Sequence, residues 1–382
     1  MSADVLTTPT VPGRPLPAAE VAQTLLDAGV GPFYGVPCSF LGPLISVLEE
    51  QHPGEYWAAG NEGEAVSLAA GARLAGRRPV VILQNSGLGN TVNPLTSLCH
   101  TLRVPVLLLV TWRGRPGQPD EPQHQLMGRI TPELLDAMET RWELFPTDLT
   151  ELAAALERAD AHMRETGLPF AFIVPKGALL PHTPAEAEAA PAEGLALRSE
   201  AIAAVVGACD RDTLLVATTG KTGRELERDW DRDGNLYVVG SMGCASSIGL
   251  GVALNAPERF VTVIDGDGAV LMRMEAMASI GRSTATRFTH VVLDNGAYES
   301  TGGQPTFSAG VDFGAVAAAC GYRSQTLVDG LVELGEAVRR AQAEPGPHFI
   351  RALIRSGSDA ALGRPALAPP ESAARFGRAA RA

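Results

Sequence analysis

Short apolar runs alternate with stretches of helical periodicity along the chain. In residues 18–28, for example, Val21, Leu25 and Leu26 share one face of a predicted helix. Strands that alternate with helices predict an α/β fold, with parallel sheets covered on both faces. The runs typical of buried strands are 33–36, 56–60, 79–83, 104–110, 170–174, 214–216, 236–239, 261–264, 291–293 and 349–354.

Two such arrays lie on either side of a segment of low complexity. Residues 181–194 are rich in Ala, Glu and Pro, a composition typical of an interdomain linker. Each array is expected to form a doubly wound parallel sheet without a third, central domain. The predicted organisation is a disordered start at 1–16, an N-terminal domain at 17–180, a linker at 181–197, a C-terminal domain at 198–364 and a poorly ordered tail at 365–382.

The stretch 261–306 carries polar loops after two consecutive predicted strands. The first strand runs into Asp265-Gly266-Asp267-Gly268, a helical pattern follows, and the second strand runs into Asp294-Asn295-Gly296. Parallel sheets bind ligands at the carboxyl ends of their strands. These two loops are therefore expected to border a ligand site.

The residues of these loops suit a magnesium ion and a diphosphate. Asp267 offers a carboxylate and Asn295 an amide oxygen, and Mg²⁺ prefers oxygen ligands that it shares with phosphates. Gly266 and Gly268 leave room for a diphosphate near the backbone, and a helix that begins near Ala269 would turn free N–H groups toward it. An ordinary strand–helix–strand unit with a glycine-rich turn remains the alternative.

The spacing of the two loops resembles a known signature. Positions 269–293 place 25 residues between Gly-Asp-Gly and Asp294-Asn295, as in the thiamine diphosphate-dependent enzymes. That family often has Asn-Asn where this chain has Asp294-Asn295. The resemblance implies that Mg²⁺ is held by Asp267, Asn295 and the carbonyl of Ala297, and that Gly266, Gly268, Ala269 and Thr222 contact thiamine diphosphate.

Glu62 matches the glutamate that activates the cofactor in this family. It lies in Asn61-Glu62-Gly63-Glu64, at a predicted strand–helix junction. The resemblance implies a hydrogen bond from Glu62 to N1′ of the aminopyrimidine. An acid that stabilises the helix N-terminus is the alternative, and Glu64 competes for the role. The distance to Gly71 favours Glu62.

The segment Gly240-Ser241-Met242-Gly243 follows another predicted strand. The resemblance implies that Met242 wedges between the two rings of the cofactor and that the carbonyl of Gly240 accepts from the 4′-amino group. A core methionine is the alternative interpretation.

Several longer segments resemble the phosphonopyruvate decarboxylase family, with the sulfopyruvate decarboxylases as its close relatives. They include residues 35–40, 61–71, 84–98, 218–226 and 294–306. The resemblance implies conversion of 3-phosphonopyruvate to phosphonoacetaldehyde and CO₂ in phosphonate and antibiotic biosynthesis, with sulfopyruvate as the alternative substrate. A nucleotide-binding Rossmann protein is a third hypothesis, disfavoured because no predicted strand precedes Gly-x-Gly-x-x-Gly with a downstream acid.

A 2-oxo acid that bears a phosphonate needs cationic partners. Arginine binds phosphonate oxygens in pairs, whereas lysine acts as a point charge. His124 is a candidate catalytic proton shuttle, because an ordinary histidine titrates near neutrality. Each of these residues also fits an ordinary surface role. The predicted substrate residues are Ser39, Asn85, Arg113, Arg115, Lys221 and Arg224.

Composition limits the partners and the compartment. The 382 residues carry a net charge of −12 without a Lys/Arg cluster, which argues against nucleic acid. No apolar run approaches the length of a membrane span, and five scattered cysteines suit a reducing cytoplasm. Glu62 and Asp267 fall in different domains, and the resemblance implies a homodimer or dimer of dimers with shared active sites.

Overall fold

A computed structural model of the protein describes residues 14–182 and 194–382. The chain divides into two compact units, Met1–Ala187 and Glu188–Ala382. Most of the predicted disordered start, residues 1–13, and most of the predicted linker, residues 183–193, lie outside the described residues. Both units are α/β, as predicted.

The first unit contains a six-stranded sheet in which all neighbours are parallel. The strand order is β2-β1-β3-β4-β6-β5, so the chain changes direction along the sheet at β1 and β3. Every residue of β4 and β6 is buried, as expected for strands covered on both faces. The strands are β1 (Phe33–Gly35), β2 (Tyr56–Ala58), β3 (Val80–Gln84), β4 (Leu107–Thr111), β5 (Arg141–Leu144) and β6 (Phe170–Val174).

Helices cover both faces of this sheet. Because successive side chains of a strand point to opposite faces, Leu109 joins one core and Leu108 the other. The helices are α1 (Ala18–Asp27), α2 (Gly42–Gln51), α3 (Glu62–Leu74), α4 (Leu88–Asn93), α5 (His100–Leu102), α6 (Pro122–Ala137) and α7 (Leu149–Thr166); a 3₁₀ turn, Asn85–Gly87, precedes α4, and a π-helical stretch, Pro94–Cys99, precedes α5.

The second unit repeats the architecture. Its parallel sheet has the order β13-β14-β10-β9-β7-β8, and a short antiparallel hairpin follows β10. The strands are β7 (Leu214–Ala217), β8 (Asn235–Tyr237), β9 (Val261–Gly266), β10 (Phe288–Asp294), β11 (Ala297–Tyr298), β12 (Gln304–Pro305), β13 (Ser324–Val328) and β14 (His348–Leu353).

Helices again lie on both faces, around two cores. The single helix predicted after β9 is two short ones, because the backbone of Arg273 leaves the helical region between them. The helices are α8 (Arg198–Ala208), α9 (Lys221–Trp230), α10 (Ala245–Asn255), α11 (Asp267–Met272), α12 (Glu275–Gly281), α13 (Phe313–Cys320), α14 (Leu331–Ala343) and α15 (Pro369–Arg381).

The prediction of a poorly ordered tail after Arg364 is wrong, because residues 369–381 form α15. Phe376 of this helix is buried in the core of the second unit. Arg375 forms an ion pair with Asp231. Phe376 and the ion pairs of Arg375 therefore anchor this helix to the second unit.

Nowhere in residues 14–182 and 194–382 is there a helix both long and apolar enough to cross a membrane.

Candidate active site

In each unit the predicted site residues gather at the carboxyl edge of the sheet. In the first unit, Ser39, Glu62, Asn85 and Arg113 follow β1, β2, β3 and β4 in turn. In the second unit, Lys221 and Thr222 follow β7, Met242 follows β8, Asp267 follows β9 and Asn295 follows β10. Each unit thus carries its own set of loops with predicted site residues at the carboxyl ends of its strands.

Glu62 is buried at the first turn of α3 but does not cap that helix. The cap is Asn61, whose side chain accepts from the backbone N–H of Glu64 at 3.1 Å. Glu64 accepts from the N–H of Gly60, the residue before the cap, at 2.7 Å. Asn61 and Glu64 are thus engaged at the helix terminus, whereas Glu62 is not, and its catalytic role stays a prediction.

Two residues that the sequence did not single out hold Glu62. The amide of Asn90 in α4 donates to Glu62 Oε2 at 2.7 Å. A Cβ atom on Gly87 would lie only 2.2 Å from Glu62 Oε1, so the glycine makes room for the carboxylate. Their only signal in the sequence is their place in the loop after β3.

Asn85 and Arg113 connect loops in this structure. The side-chain nitrogen of Asn85 donates to Arg113 O at 2.8 Å and to Thr131 Oγ1 at 2.9 Å, while its oxygen accepts from Arg113 N at 3.1 Å. Asn85 is fully buried. A contact between Asn85 and substrate stays a prediction, since its polar atoms already bind protein groups.

The guanidinium of Arg113 binds Asp120 with two hydrogen bonds of 2.8 and 2.6 Å. Burial favours a higher pKa for Asp120, but hydrogen bonds from Arg113 and from backbone N–H groups hold that pKa well below its usual range. Arg113 also lies over the ring of Phe40, 5.2 Å from its centroid. The charge of Arg113 is thus balanced within the loop that follows β4.

A cavity of about 160 Å³ opens at the carboxyl ends of β4, β5 and β6. Arg115 reaches it from the loop after β4, with its guanidinium 5.0 Å from the ring centroid of Trp112. Lys176 and Arg14 also line it, and Phe40 and Phe145 add apolar surface. The cavity combines cationic and aromatic groups with the carboxylate of Asp120, which is paired with Arg113, so its cations suit a small anion.

Two further candidates in the first unit differ in exposure. Ser39 is exposed in the turn after β1. His124 is buried near the start of α6, where its carbonyl would lie 1.9 Å from a Cβ atom on Gly114. Neither residue lines the cavity in the described part of the chain. Their roles at the substrate stay predictions.

In the second unit, Asp267 is a buried carboxylate at the start of α11. Burial, together with the nearby negative charge of Asp294, raises the pKa of Asp267 to about 6, although a hydrogen bond from Thr306 acts in the opposite direction. Thr306 donates to Asp267 Oδ2 and lies 3.1 Å from Ser308 Oγ. A buried carboxylate in such surroundings is well suited to a cation.

Asp294, the departure from the Asn-Asn pattern, has a partner of its own. Arg351 in β14, the neighbouring strand, donates from Nε to Asp294 Oδ2 at 2.8 Å. Ser308 donates to the other carboxylate oxygen at 2.9 Å. Arg351 also donates to the carbonyls of Val311 and Ser308. This ion pair fastens the segment that carries Thr306 and Ser308 to the edge of the sheet.

Asn295 presents its amide in one orientation. Its nitrogen donates to Glu299 Oε2 and Ser356 Oγ, both at 3.2 Å. Its oxygen accepts from the N–H of Ala297 at 3.1 Å. A carbonyl oxygen has a second lone pair, so this atom can still bind a cation.

The oxygen groups of Asp267, Asn295 and Ala297 fit Mg²⁺. They supply a carboxylate and two carbonyl oxygens from the ends of adjacent strands, the ligand chemistry that this ion prefers. Among the described residues, no group of three His, Cys, Asp or Glu side chains is placed to hold a metal. The magnesium site therefore stays a prediction that the chemistry of Asp267 and Asn295 supports.

The two glycines beside Asp267 have different surroundings. A Cβ atom on Gly268 would lie 2.5 Å from the ring of Tyr298 and 3.2 Å from the terminal methyl of Met242. Gly268 therefore lets Met242 and Tyr298 pack over α11. A Cβ atom on Gly266 would meet none of the described atoms within 4 Å. Of the two, Gly266 better fits the predicted close approach of a diphosphate, and Ala269 is buried within α11.

The remaining predicted residues lie close to the same edge. Gly240 has a φ of +66° and donates its N–H to Thr219 at 3.1 Å. Thr222 is buried in the first turn of α9, and Arg224 is half-buried in the same helix. Lys221 donates to Glu299 Oε1 at 2.8 Å. Lys221 thus has a carboxylate partner in its own unit, and its contact with substrate stays a prediction.

Two family models match the chain. The model described as the N-terminal TPP-binding domain of thiamine pyrophosphate enzymes matches residues 18–140. The model described as the C-terminal TPP-binding domain of these enzymes matches residues 224–352. Thiamine pyrophosphate is another name for thiamine diphosphate. One match lies in each of the two units.

Curated relatives match almost the whole length. A phosphonopyruvate decarboxylase from Streptomyces viridochromogenes is 44% identical over 94% of this chain and 94% of its own. Another, from Streptomyces hygroscopicus, is 42% identical over 94% of this chain and 92% of its own. A sulfopyruvate decarboxylase from Methanosarcina acetivorans is 30% identical over 94% of this chain and 96% of its own. The chain therefore belongs to the thiamine diphosphate-dependent decarboxylase family, and thiamine diphosphate is its cofactor.

Proposed function

We propose that this protein converts 3-phosphonopyruvate to phosphonoacetaldehyde and CO₂ in a non-oxidative decarboxylation. The observation that carries the proposal is the identity of 44% to a phosphonopyruvate decarboxylase along nearly the full length of both chains. The sulfopyruvate decarboxylase of similar length is more distant, at 30%. The reaction serves phosphonate biosynthesis, where loss of CO₂ draws an unfavourable preceding step forward.

Different residues of the proposed site would hold the metal ion, the diphosphate and the rings of the cofactor. When bound, thiamine diphosphate supplies the electron sink for decarboxylation. Asp267, Asn295 and the carbonyl of Ala297 would hold Mg²⁺ against the diphosphate, with Gly266 leaving space beside it. Glu62, fixed by Asn90, would hydrogen-bond to the aminopyrimidine. Met242 would support the cofactor rings, and the carbonyl of Gly240 would accept from the amino group.

For the substrate, we assign the phosphonate end to the cavity beside Arg115. Lys176 and Arg14 bring two more positive charges to this cavity. Its other lining residues include the immediate neighbours of Ser39 and Arg113, namely Phe40 and Gly114. Arginine is suited to a phosphonate because its planar guanidinium binds two oxygens at once. Arg113, Arg224 and His124 remain further candidates.

A substrate comparison tests the proposal. The purified protein would be loaded with thiamine diphosphate and Mg²⁺, and kcat/KM would be measured for 3-phosphonopyruvate, sulfopyruvate and pyruvate from the aldehyde formed. We expect 3-phosphonopyruvate to be preferred by at least about tenfold, because the cationic site must discriminate among the acidic groups. A preference for sulfopyruvate would support the alternative substrate, and no aldehyde from any of the three would refute decarboxylation.

A further inference from the structure

Glu299 lies at the centre of an ion-pair network at the carboxyl edge of the second sheet. Its Oε2 atom accepts from Arg198 at 2.7 Å and from Asn295 at 3.2 Å. Its Oε1 atom accepts from Lys221 at 2.8 Å and from the N–H of Gly357 at 3.2 Å. One carboxylate thereby joins α8, α9 and the loops after β10 and β14.

The charges of this network balance. Arg198 is buried and also binds Glu225, with contacts of 3.0 and 3.2 Å. Two cations, Arg198 and Lys221, therefore face two carboxylates, Glu225 and Glu299. Because Glu299 faces the cations Arg198 and Lys221 and the N–H of Gly357, both of its carboxylate oxygens act as acceptors.

An acceptor-only partner determines which way the amide of Asn295 points. Only the nitrogen of that amide can face a carboxylate, and the second amide hydrogen is directed to Ser356. The amide oxygen must then lie on the opposite side, toward the loop that contains Ala297. Rotation by a half-turn would place that oxygen against the negative charge of Glu299.

We infer that Glu299 is a positioning residue that holds the Asn295 oxygen ready for Mg²⁺. The inference rests on the magnesium site proposed above, and it extends that site to a residue outside the proposed set of ligands. Groups that orient metal ligands in this way typically change metal affinity by about 10- to 100-fold when they are replaced.

Glu299→Gln is the informative variant. Donors face both carboxylate oxygens, Lys221 and Gly357 on one side and Arg198 and Asn295 on the other. A glutamine must turn its NH₂ group toward one of these pairs, so it cannot satisfy both. We expect the Mg²⁺ concentration that half-saturates thiamine diphosphate binding, measured by calorimetry, to rise at least about tenfold. At saturating Mg²⁺, cofactor affinity should return to near the wild-type value.

Glu225→Gln is the matched control. This substitution removes a carboxylate from the same Arg198 guanidinium. Glu225 takes no part in the hydrogen bonds that the structure records for Asn295. Its Mg²⁺ requirement should stay within about twofold of the wild type, since the ligand shell is unchanged. Equal shifts in both variants would mean that Glu299 acts only through general stability, and the inference would be wrong.

Asn295→Ala separates this inference from the metal site itself. If Asn295→Ala weakens Mg²⁺-dependent binding and Glu299→Gln does not, the positioning role is refuted while the site stands. If Asn295→Ala also binds as the wild type, the metal site is wrong and the inference falls with it. Should Glu299→Gln fail to fold by circular dichroism, Ser356→Ala removes the second amide contact without touching an ion pair. A rise of about fivefold is then expected, and an unchanged Mg²⁺ requirement refutes the inference.

Discussion

At the scale of single residues, Glu62 depends on neighbours that contribute no charge. Asn90 fixes one of its oxygens, and Gly87 provides the space that the other occupies. Asn61 and Glu64 form the hydrogen bonds at the start of α3, so Glu62 is not required there. If Glu62 meets a ring nitrogen of the cofactor as proposed, its position is critical, because an error of about 1 Å can reduce a rate by about 100-fold.

Gly87→Ala tests this sensitivity. The new Cβ atom would lie 2.2 Å from Glu62 Oε1, so the carboxylate must move. We expect kcat to fall by about 100-fold and deuterium exchange at the thiazolium carbon, followed by NMR on the bound cofactor, to slow in parallel. Gly89→Ala is the control, because nothing described lies within 4 Å of a Cβ atom there. Wild-type exchange in Gly87→Ala would contradict the role given to Glu62.

The sequence indicated candidate site residues, but not the distant side chains that form ion pairs around them. Asp267, Asn295 and Glu62 could be named because each lies in a short local pattern. The partners Arg351 and Arg198 could not, because their ion pairs join residues 57 and 101 positions apart. Such pairs leave no local signal, and the topology alone brings them together.

At the scale of secondary-structure elements, buried apolar strands were predictable from the sequence, whereas half-exposed edge strands were not. Buried strands such as β4 and β10 appear in the sequence as continuous apolar runs. β5 has no such run because it is a half-exposed edge strand. Helix α6 begins within the segment 116–125, whose polar, proline-rich composition is typical of a loop, and contains Pro132. Proline near the first turn of a helix is tolerated, so composition alone was misleading here.

Helix α15 gives the prediction at this scale. Phe376 is its buried anchor, and we expect Phe376→Ala to lower the free energy of unfolding of the second unit by about 3 kcal/mol. Leu327→Ala, at an exposed position of β13, should cost under about 0.5 kcal/mol. Urea denaturation followed by circular dichroism measures both. Equal effects would mean that α15 is not part of the core.

The ion pair between Arg375 and Asp231 makes the stability of α15 against the second unit depend on pH. Hydrogen bonds from Arg375 lower the pKa of Asp231 below its ordinary value. A carboxyl whose pKa is lower in the folded state stabilises that state above the unfolded pKa, and the contribution is lost as pH falls through the folded pKa. Docking of α15 should therefore weaken in acid.

At the scale of the whole molecule, the residues predicted to serve one cofactor are distributed over two units. Glu62 belongs to the first unit, whereas Asp267 and Asn295 belong to the second. By resemblance to the family, we expect the two halves of each site to come from different subunits of a symmetric dimer or dimer of dimers. The two-unit division was predictable from the linker composition, but the subunit arrangement comes from the resemblance alone.

Subunit mixing tests this arrangement. Glu62→Gln and Asp267→Ala should each be inactive, whereas equal amounts refolded together should recover about a quarter of wild-type activity, because half of randomly paired dimers contain one intact site. Subunit exchange would be verified by native mass spectrometry. Mixtures that exchange but remain inactive would show that each site is built within one chain.

The two complete sheets have a consequence for the gene. Each unit pairs all six of its parallel strands with one another and encloses its own cores on both faces. A gene interrupted between the two units would therefore encode two polypeptides, neither of which loses a strand pairing. The fused and divided forms of such an enzyme differ by a single connection, so evolution can exchange one for the other without redesigning either sheet.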